Sequence, residues 1–297
     1  MTTVRIKLSN TEPRNSSDAA FGFVQSLATE LSSGHVDLPS FPEVAIRLRR
    51  ILTDQNSSVE TVVRVVGSEP ALAARLMKIA NSAALNTSGK QITDLRRAIN
   101  RMGYNMVRSA SMSFAMAQIR NKNELADVKH YLDELWERST LVAAFAYVLA
   151  RTSAQINPDE AMLTGMMHGI GKLYVITRVV NHPELFASAA AVNQIIDDWH
   201  AQIGRAIMEN WEFADEMVAA VAGQDDLQRD GVETADLCDI VAVANRMASF
   251  GSDIDGLRLA IDGLGAAARL RLSDEKVRVV MHDGAAEVAA LRNALGA

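Results

Sequence analysis

Apolar positions recur at helical rather than strand spacing over most of this chain. In "HVDLPSFPEVAIRLRRIL" the backbone breaks at Pro39 and Pro42, then runs apolar through Val44, Ile46, Leu48, Ile51 and Leu52. A side chain every three or four residues lands on one face of a 3.6-residue turn, so the run predicts an amphipathic helix. "SSVETVVRVVG" follows, with Ser57 and Glu60 spaced as a capping box and Gly67 as a stop. "SEPALAARLMKIANSA" begins at Ser68 and carries Pro70 in its first turn, where a missing N–H costs nothing. "TDLRRAINRMGYNMVRSASMSFAMAQI" predicts two helical pieces hinged near Gly103, and the polar "RNKNELADVKH" separates this half from the next.

The second half opens with a long helix, "YLDELWERSTLVAAFAYVLARTSA". Asn157, Pro158 and Glu160 then supply a cap, a preset φ and a reciprocal carboxylate. They start the helix carrying "LTGMMHGIGKL". Further helices are predicted in "ELFASAAAVNQIIDDWHAQIGRAIMENW", "ADEMVAAVAG" and "ADLCDIVAVANRMASF". A glycine-rich stretch, "DIDGLRLAIDGLGAAA", precedes a last helix starting near Ser273. Only "TVRIKL", near the N-terminus, alternates like a short edge strand. The predicted class is therefore all-α, an N-terminal multi-helix subdomain packed on a second helical bundle. The divisions are a flexible tail over 1–18, a first helical half over 19–124, a second bundle over 125–250, and a C-terminal helical extension over 251–297.

Composition sharpens this picture. Hydrophobic residues are 48%, charged residues 22% and aromatics only 5%. A preponderance of alanine, leucine and methionine favours helices, because these side chains lose little rotamer freedom there. The formal charge of -6 argues against a general nucleic-acid binder. One cysteine, Cys238, excludes an intramolecular disulfide and a cysteine-rich zinc site. "MTTVRIKLSNTEPRN" has no continuous apolar run of the signal-peptide kind, and "LVAAFAYVLA" is too short to span a bilayer. A cytoplasmic protein without membrane contact is expected.

Several segments, in one order, resemble the HDOD domain, the HD-related output domain of bacterial signalling proteins. They are "LPSFPEV", "SEPALAARLMKIANSA", "ITDLRRAINRMG", "LTGMMHGIGKL" and "WHAQIGRAIMENW", covering about residues 35–225. The resemblance implies that the second bundle is HD-like. In the wider HD superfamily such a bundle binds a divalent metal through histidines and aspartates and hydrolyses phosphate esters. Carried across, that pattern puts the first histidine at Arg138 and the His-Asp pair at His168 and Gly169. A later histidine falls at His200, an adjacent histidine pair at Gly223 and Gln224, and the closing aspartate at Asn245. Two imidazoles and an amide fall short of the three or more ligands, anionic oxygens among them, that a hard dication needs.

No metal, no cofactor and no catalytic residue is therefore expected. The leading expectation is a non-catalytic regulatory protein that contacts other signalling proteins, with a nucleotide as a candidate ligand and self-association open. Arg138 is the candidate anion contact, or else it pairs with Asp197, Asp198 or Asp239. His168 and His200 are expected to be satisfied within the core, the latter capping the following helix. Gly165, Gly169 and Gly171 are expected to permit close helix approach, and Met162, Met166 and Met167 to fill the core. Two alternatives compete. One is a metal-dependent phosphohydrolase recruiting Asp197, Asp198 or Glu160. The other is a DNA-binding helix–turn–helix presenting Arg75, Lys78 and Asn81, with a basic cluster at Arg47, Arg49, Arg50, Arg96, Arg97 and Arg101.

Overall fold

A helix begins where some group can take the orphan N–H bonds of its first turn. The computed structural model describes residues 16–33, 42–54, 57–82, 85–86, 89–153, 155–182, 185, 188–229, 233–251 and 253–295. Among them there is no strand. The first half holds α1 (Ser16–Ser33), α2 (Glu43–Thr53), α3 (Val59–Gly67), α4 (Pro70–Ala80) and α5 (Leu95–Arg120). The α1 helix starts inside the stretch expected to be tail, while "TVRIKL" lies outside the described residues.

The cap of α3 is Ser58, one residue later than expected: its hydroxyl accepts from the Thr61 N–H. Ser57 still belongs to the turn leaving α2, its N–H donating to the Asp54 carbonyl. Glu60 pairs with Arg96. Gly103 bends α5 with φ 71° and ψ 166°, a conformation that side-chain-bearing residues avoid. The polar separator forms a 3-10 turn, Asn123–Val128, pinned by buried Leu125 and Val128.

The second half holds α6 (Lys129–Ala150), α7 (Pro158–Met167), α8 (Ile170–Val179), α9 (Ala189–Asn210), α10 (Asp215–Gly223) and α11 (Leu237–Phe250). Asn157 caps α7 by accepting from the Asp159 and Glu160 N–H groups. "LTGMMHGIGKL" is not one helix: it breaks at His168 and Gly169 into α7 and α8. The glycine-rich stretch is itself mostly helical, as α12 (Ile254–Ile261) and α13 (Gly265–Arg269). The last helix is interrupted too, as α14 (Asp274–Arg278), a π turn (Val279–Asp283) and α15 (Ala285–Leu295).

In the first half α2, α3 and α4 pack on α5. In the second, α6 packs on α7, α11 and α15, and α8 lies along α9. The halves join where α5 meets α6 and α7. The first helix, α1, packs on α9, and its Glu30 accepts from Tyr174 and Arg178 of α8. Met162, Met166 and Met167 are fully buried.

Two glycines set the geometry of the site. A Cβ at Gly165 would stand 3.0 Å from the Ala143 Cα, so α7 meets α6 backbone to backbone. A Cβ at Gly171 would stand 1.9 Å from the His200 carbonyl oxygen, so α8 and α9 touch in the same way. That contact draws the His168 corner towards the middle of α9.

Candidate functional site: a cationic cavity in the second bundle

A cavity of about 270 Å³ opens between α6, α8, α9, α10 and α11. Arg138, His200, Gln224 and Asn245 line it, together with Lys172, Asp197, Asp225, Arg246 and Ser249. Four of the positions carried across from the HD pattern thus converge, with Asp197 beside them. Gly169 and Gly223 do not line it: a Cβ on them would meet Leu135 Cδ1 at 2.7 Å and Cys238 Sγ at 3.1 Å respectively.

Arg138 is fixed from α6 onto α11. Its Nε donates to Asn245 Oδ1 at 3.1 Å, and its Nη2 donates to the same oxygen at 2.6 Å. Nη2 also donates to the Asn245 carbonyl at 2.9 Å and to Ser249 Oγ at 2.8 Å. Asn245, rather than Asp198 or Asp239, takes these bonds. Asp239 accepts from Arg229 and Arg269 instead, and Asp198 accepts from Gln194 one turn back along α9. Asn245 is the better match because its side-chain and main-chain oxygens both face the planar fork.

His168 does not line the cavity and is 2% exposed. Its Nδ1 is 2.7 Å from the Gly165 carbonyl, which can only accept, so Nδ1 carries the proton. Burial first, and then the charges of Arg138 and Lys172, push its pKa down to about 3. The ring is neutral at physiological pH. Its backbone carbonyl accepts from Gln224 Nε2 at 2.8 Å, tying the corner to the end of α10.

His200 is also buried, and its Nε2 lies 3.1 Å from Asp225 Oδ2. It stands inside α9 and reaches beyond the C-terminal end of α10, rather than capping the start of a following helix. The hydrogen bond from His200, with the charges of His200 and Lys172, holds the Asp225 carboxyl below its usual range against the opposing effect of burial. The His200 Nδ1 is buried without a hydrogen-bond partner among the described residues. Burial lowers the pKa of Lys172, and Asp225 acts in the opposite sense.

Lys172, Asp225 and Arg246 were not singled out in the sequence, although each had a positional signal. Lys172 lies one helical turn beyond His168, and Asp225 and Arg246 directly follow Gln224 and Asn245.

The donor set does not suit a dication. Among the described residues no three of His, Cys, Asp or Glu converge on one point. Three cations, Arg138, Lys172 and Arg246, share the cavity with two carboxylates. A guanidinium cannot give up its charge to accommodate a metal.

The surface expected to suit DNA is built differently. Arg75 Nη2 donates to Ser113 Oγ at 2.7 Å, and its guanidinium stacks 5.7 Å from the Trp136 ring centre. Asn81 holds Ile92 through both amide atoms. Lys78 alone of the three is exposed. Of the basic cluster, Arg49 is buried against Trp211, while Arg96 pairs with Glu60 and Arg97 with Asp94. No helix among the described residues is long and apolar enough to cross a membrane.

Fold and cavity together describe an all-helical protein with a cationic cavity in its second bundle. Residues 38–227 match the HDOD domain, and the chain belongs to that family. It superposes with a TM-score of 0.72 on a Shewanella amazonensis protein provisionally described as a metal-dependent phosphohydrolase, at 26% identity over 94% of this chain and 99% of the other. An HDOD domain protein from Geobacter sulfurreducens, of unknown function, gives 0.63 at 20% identity, over 93% and 98% of the two chains. An uncharacterized protein of Treponema pallidum is 22% identical over 75% of this chain. The chain spans 44% of that relative's length.

Proposed function

We propose that this HDOD protein is a regulatory module that works by recognition and not by catalysis, contacting other signalling proteins. The observation that carries the proposal is the Arg138 fork on Asn245. The HD resemblance implies a metal-binding histidine and aspartate at these two positions, and here a guanidinium and an amide bond each other. A fixed positive charge beside a neutral amide repels a dication. Without a metal, nothing in the cavity brings a bound water towards neutral pKa as a hydrolytic nucleophile. His168 cannot substitute as a charged acid, because it stays neutral down to about pH 3.

The rival reading is a metal-dependent phosphohydrolase, as the Shewanella relative's provisional description has it. Asp197 lines the cavity, but Glu160 sits at the start of α7, two turns before His168. Metal analysis of protein purified without chelator, together with phosphodiesterase assays in manganese, iron and zinc, separates the readings. Substoichiometric metal and no turnover are expected. A stoichiometric ion accompanied by turnover would establish the enzyme instead.

A further inference from the structure

We propose that the cavity is a direct, metal-free binding site for the phosphate group of a small molecule. The inference rests on the recognition reading above and names the ligand class for the same cavity.

Three cations meet there from three helices: Arg138 on α6, Lys172 on α8 and Arg246 on α11. Like charges repel in a space partly shielded from water: Arg246 opposes the charge on Arg138, and Arg138 opposes that on Lys172, after the larger effect of burial, while Asp225 favours the charge on both and outweighs Arg138 at Lys172. Of the two carboxylates, Asp225 is engaged by the His200 ring at the exposed rim. The lining therefore carries more positive than negative charge, whereas the chain as a whole carries -6. A singly charged phosphate would offset that excess of one charge, and its oxygens accept hydrogen bonds from ammonium and guanidinium donors.

The Ser249 hydroxyl at the wall is already engaged, donating to the Asn245 carbonyl and accepting from Arg138 Nη2, so the donors for the ligand are Lys172 and Arg246. Size narrows the class. About 270 Å³ is below the usual range for drug-sized ligands, roughly 300–1,000 Å³. Inorganic phosphate, a phosphomonoester or the phosphate end of a mononucleotide fits; an entire dinucleotide does not.

The test uses the full chain, freed of metal with chelator. Thermal shift and calorimetry are run with sodium phosphate, AMP and adenosine, against sodium chloride at matched ionic strength. Phosphate or AMP is expected to raise the melting temperature and adenosine to leave it unchanged, because a ligand held only by the native state stabilises it. Phosphate acting alone assigns the free anion; a larger effect of AMP assigns a nucleotide phosphate. Lys172→Met and Arg246→Met, each checked for native helicity, are expected to weaken binding about tenfold, the usual effect of losing one charged hydrogen bond. No shift with either phosphate or AMP overturns the proposal, as does binding undiminished in both variants. These outcomes are separate from the recognition reading, which falls only if the metal-loaded protein turns over a phosphodiester.

Discussion

Gly171 and His200 meet backbone to backbone: a Cβ on the glycine would lie 1.9 Å from the histidine's carbonyl oxygen. Neither atom is the end of a flexible side chain, so one helix must move. Gly171→Ala is expected to destabilise the protein by about 3 kcal/mol or more, at the upper end of overpacking costs. Gly67→Ala is the control, because a Cβ there meets nothing within 4 Å and its φ is not positive. It should be neutral or stabilising by up to about 1 kcal/mol. Urea denaturation of the pair checks both, and equal midpoints would contradict the close contact.

The buried His168 makes stability depend on pH. Its folded pKa, about 3, lies below the ordinary histidine value of 6.5, so below 6.5 the unfolded chain takes up a proton that the native state refuses. This contribution is intact above about pH 6.5 and declines by ~1.4 kcal/mol per pH unit as the pH falls towards 3. His168→Gln removes it. The stability difference between wild type and variant should therefore shrink on acidification from pH 7 to pH 5, measured by denaturant titration. A difference independent of pH would mean that the ring is not held neutral.

Asp239 fastens the C-terminal extension to the bundle. It is 1% exposed and accepts from Arg229 Nη2 at 2.6 Å and from Arg269 Nη2 at 2.7 Å. Asp239→Asn leaves two guanidiniums facing a neutral amide, and a loss of about 3–5 kcal/mol is expected, as for other broken buried ion pairs. Limited proteolysis should then cut around α13 at protease levels that spare the wild type. Unchanged cleavage would show that the extension is held by its apolar contacts alone.

Arg75 has a structural role between Ser113 and Trp136. Burial pushes its pKa down to about 10, with the neighbouring Arg120 adding to the effect. Arg75→Ala should cost about 2 kcal/mol of stability, whereas Lys78→Ala, on the exposed face, should change it by less than about 0.5 kcal/mol. Duplex-DNA titrations at low salt should show no retardation for either. Affinity that falls steeply with salt and is lost in Lys78→Ala would support a groove-binding surface.

Much of the site could be read in the sequence, and its shortfall is instructive. Arg138, His200, Gln224 and Asn245 were each named, and they share one cavity. Which of them touch was not legible. Arg138 was expected to seek a carboxylate, because opposite charge is the only partner a sequence advertises. The fold instead brings it within reach of Asn245, 107 residues further along. Ser57 was one residue off as the α3 cap, since two adjacent serines offer the same oxygen and only the preceding turn excludes the first.

The amino-acid order alone determined most of the helices, though not the break at His168 and Gly169 or the interruption of the last one, through apolar spacing, capping side chains and the hinge at Gly103, because these depend on groups within a few residues of each other. Only the tertiary structure decided that Lys172, Asp225 and Arg246 join the cavity, that the first helix docks on the second bundle, and that His168 is sealed from water. Those outcomes depend on which helices approach closely, and that is set by shape and burial summed over the whole core.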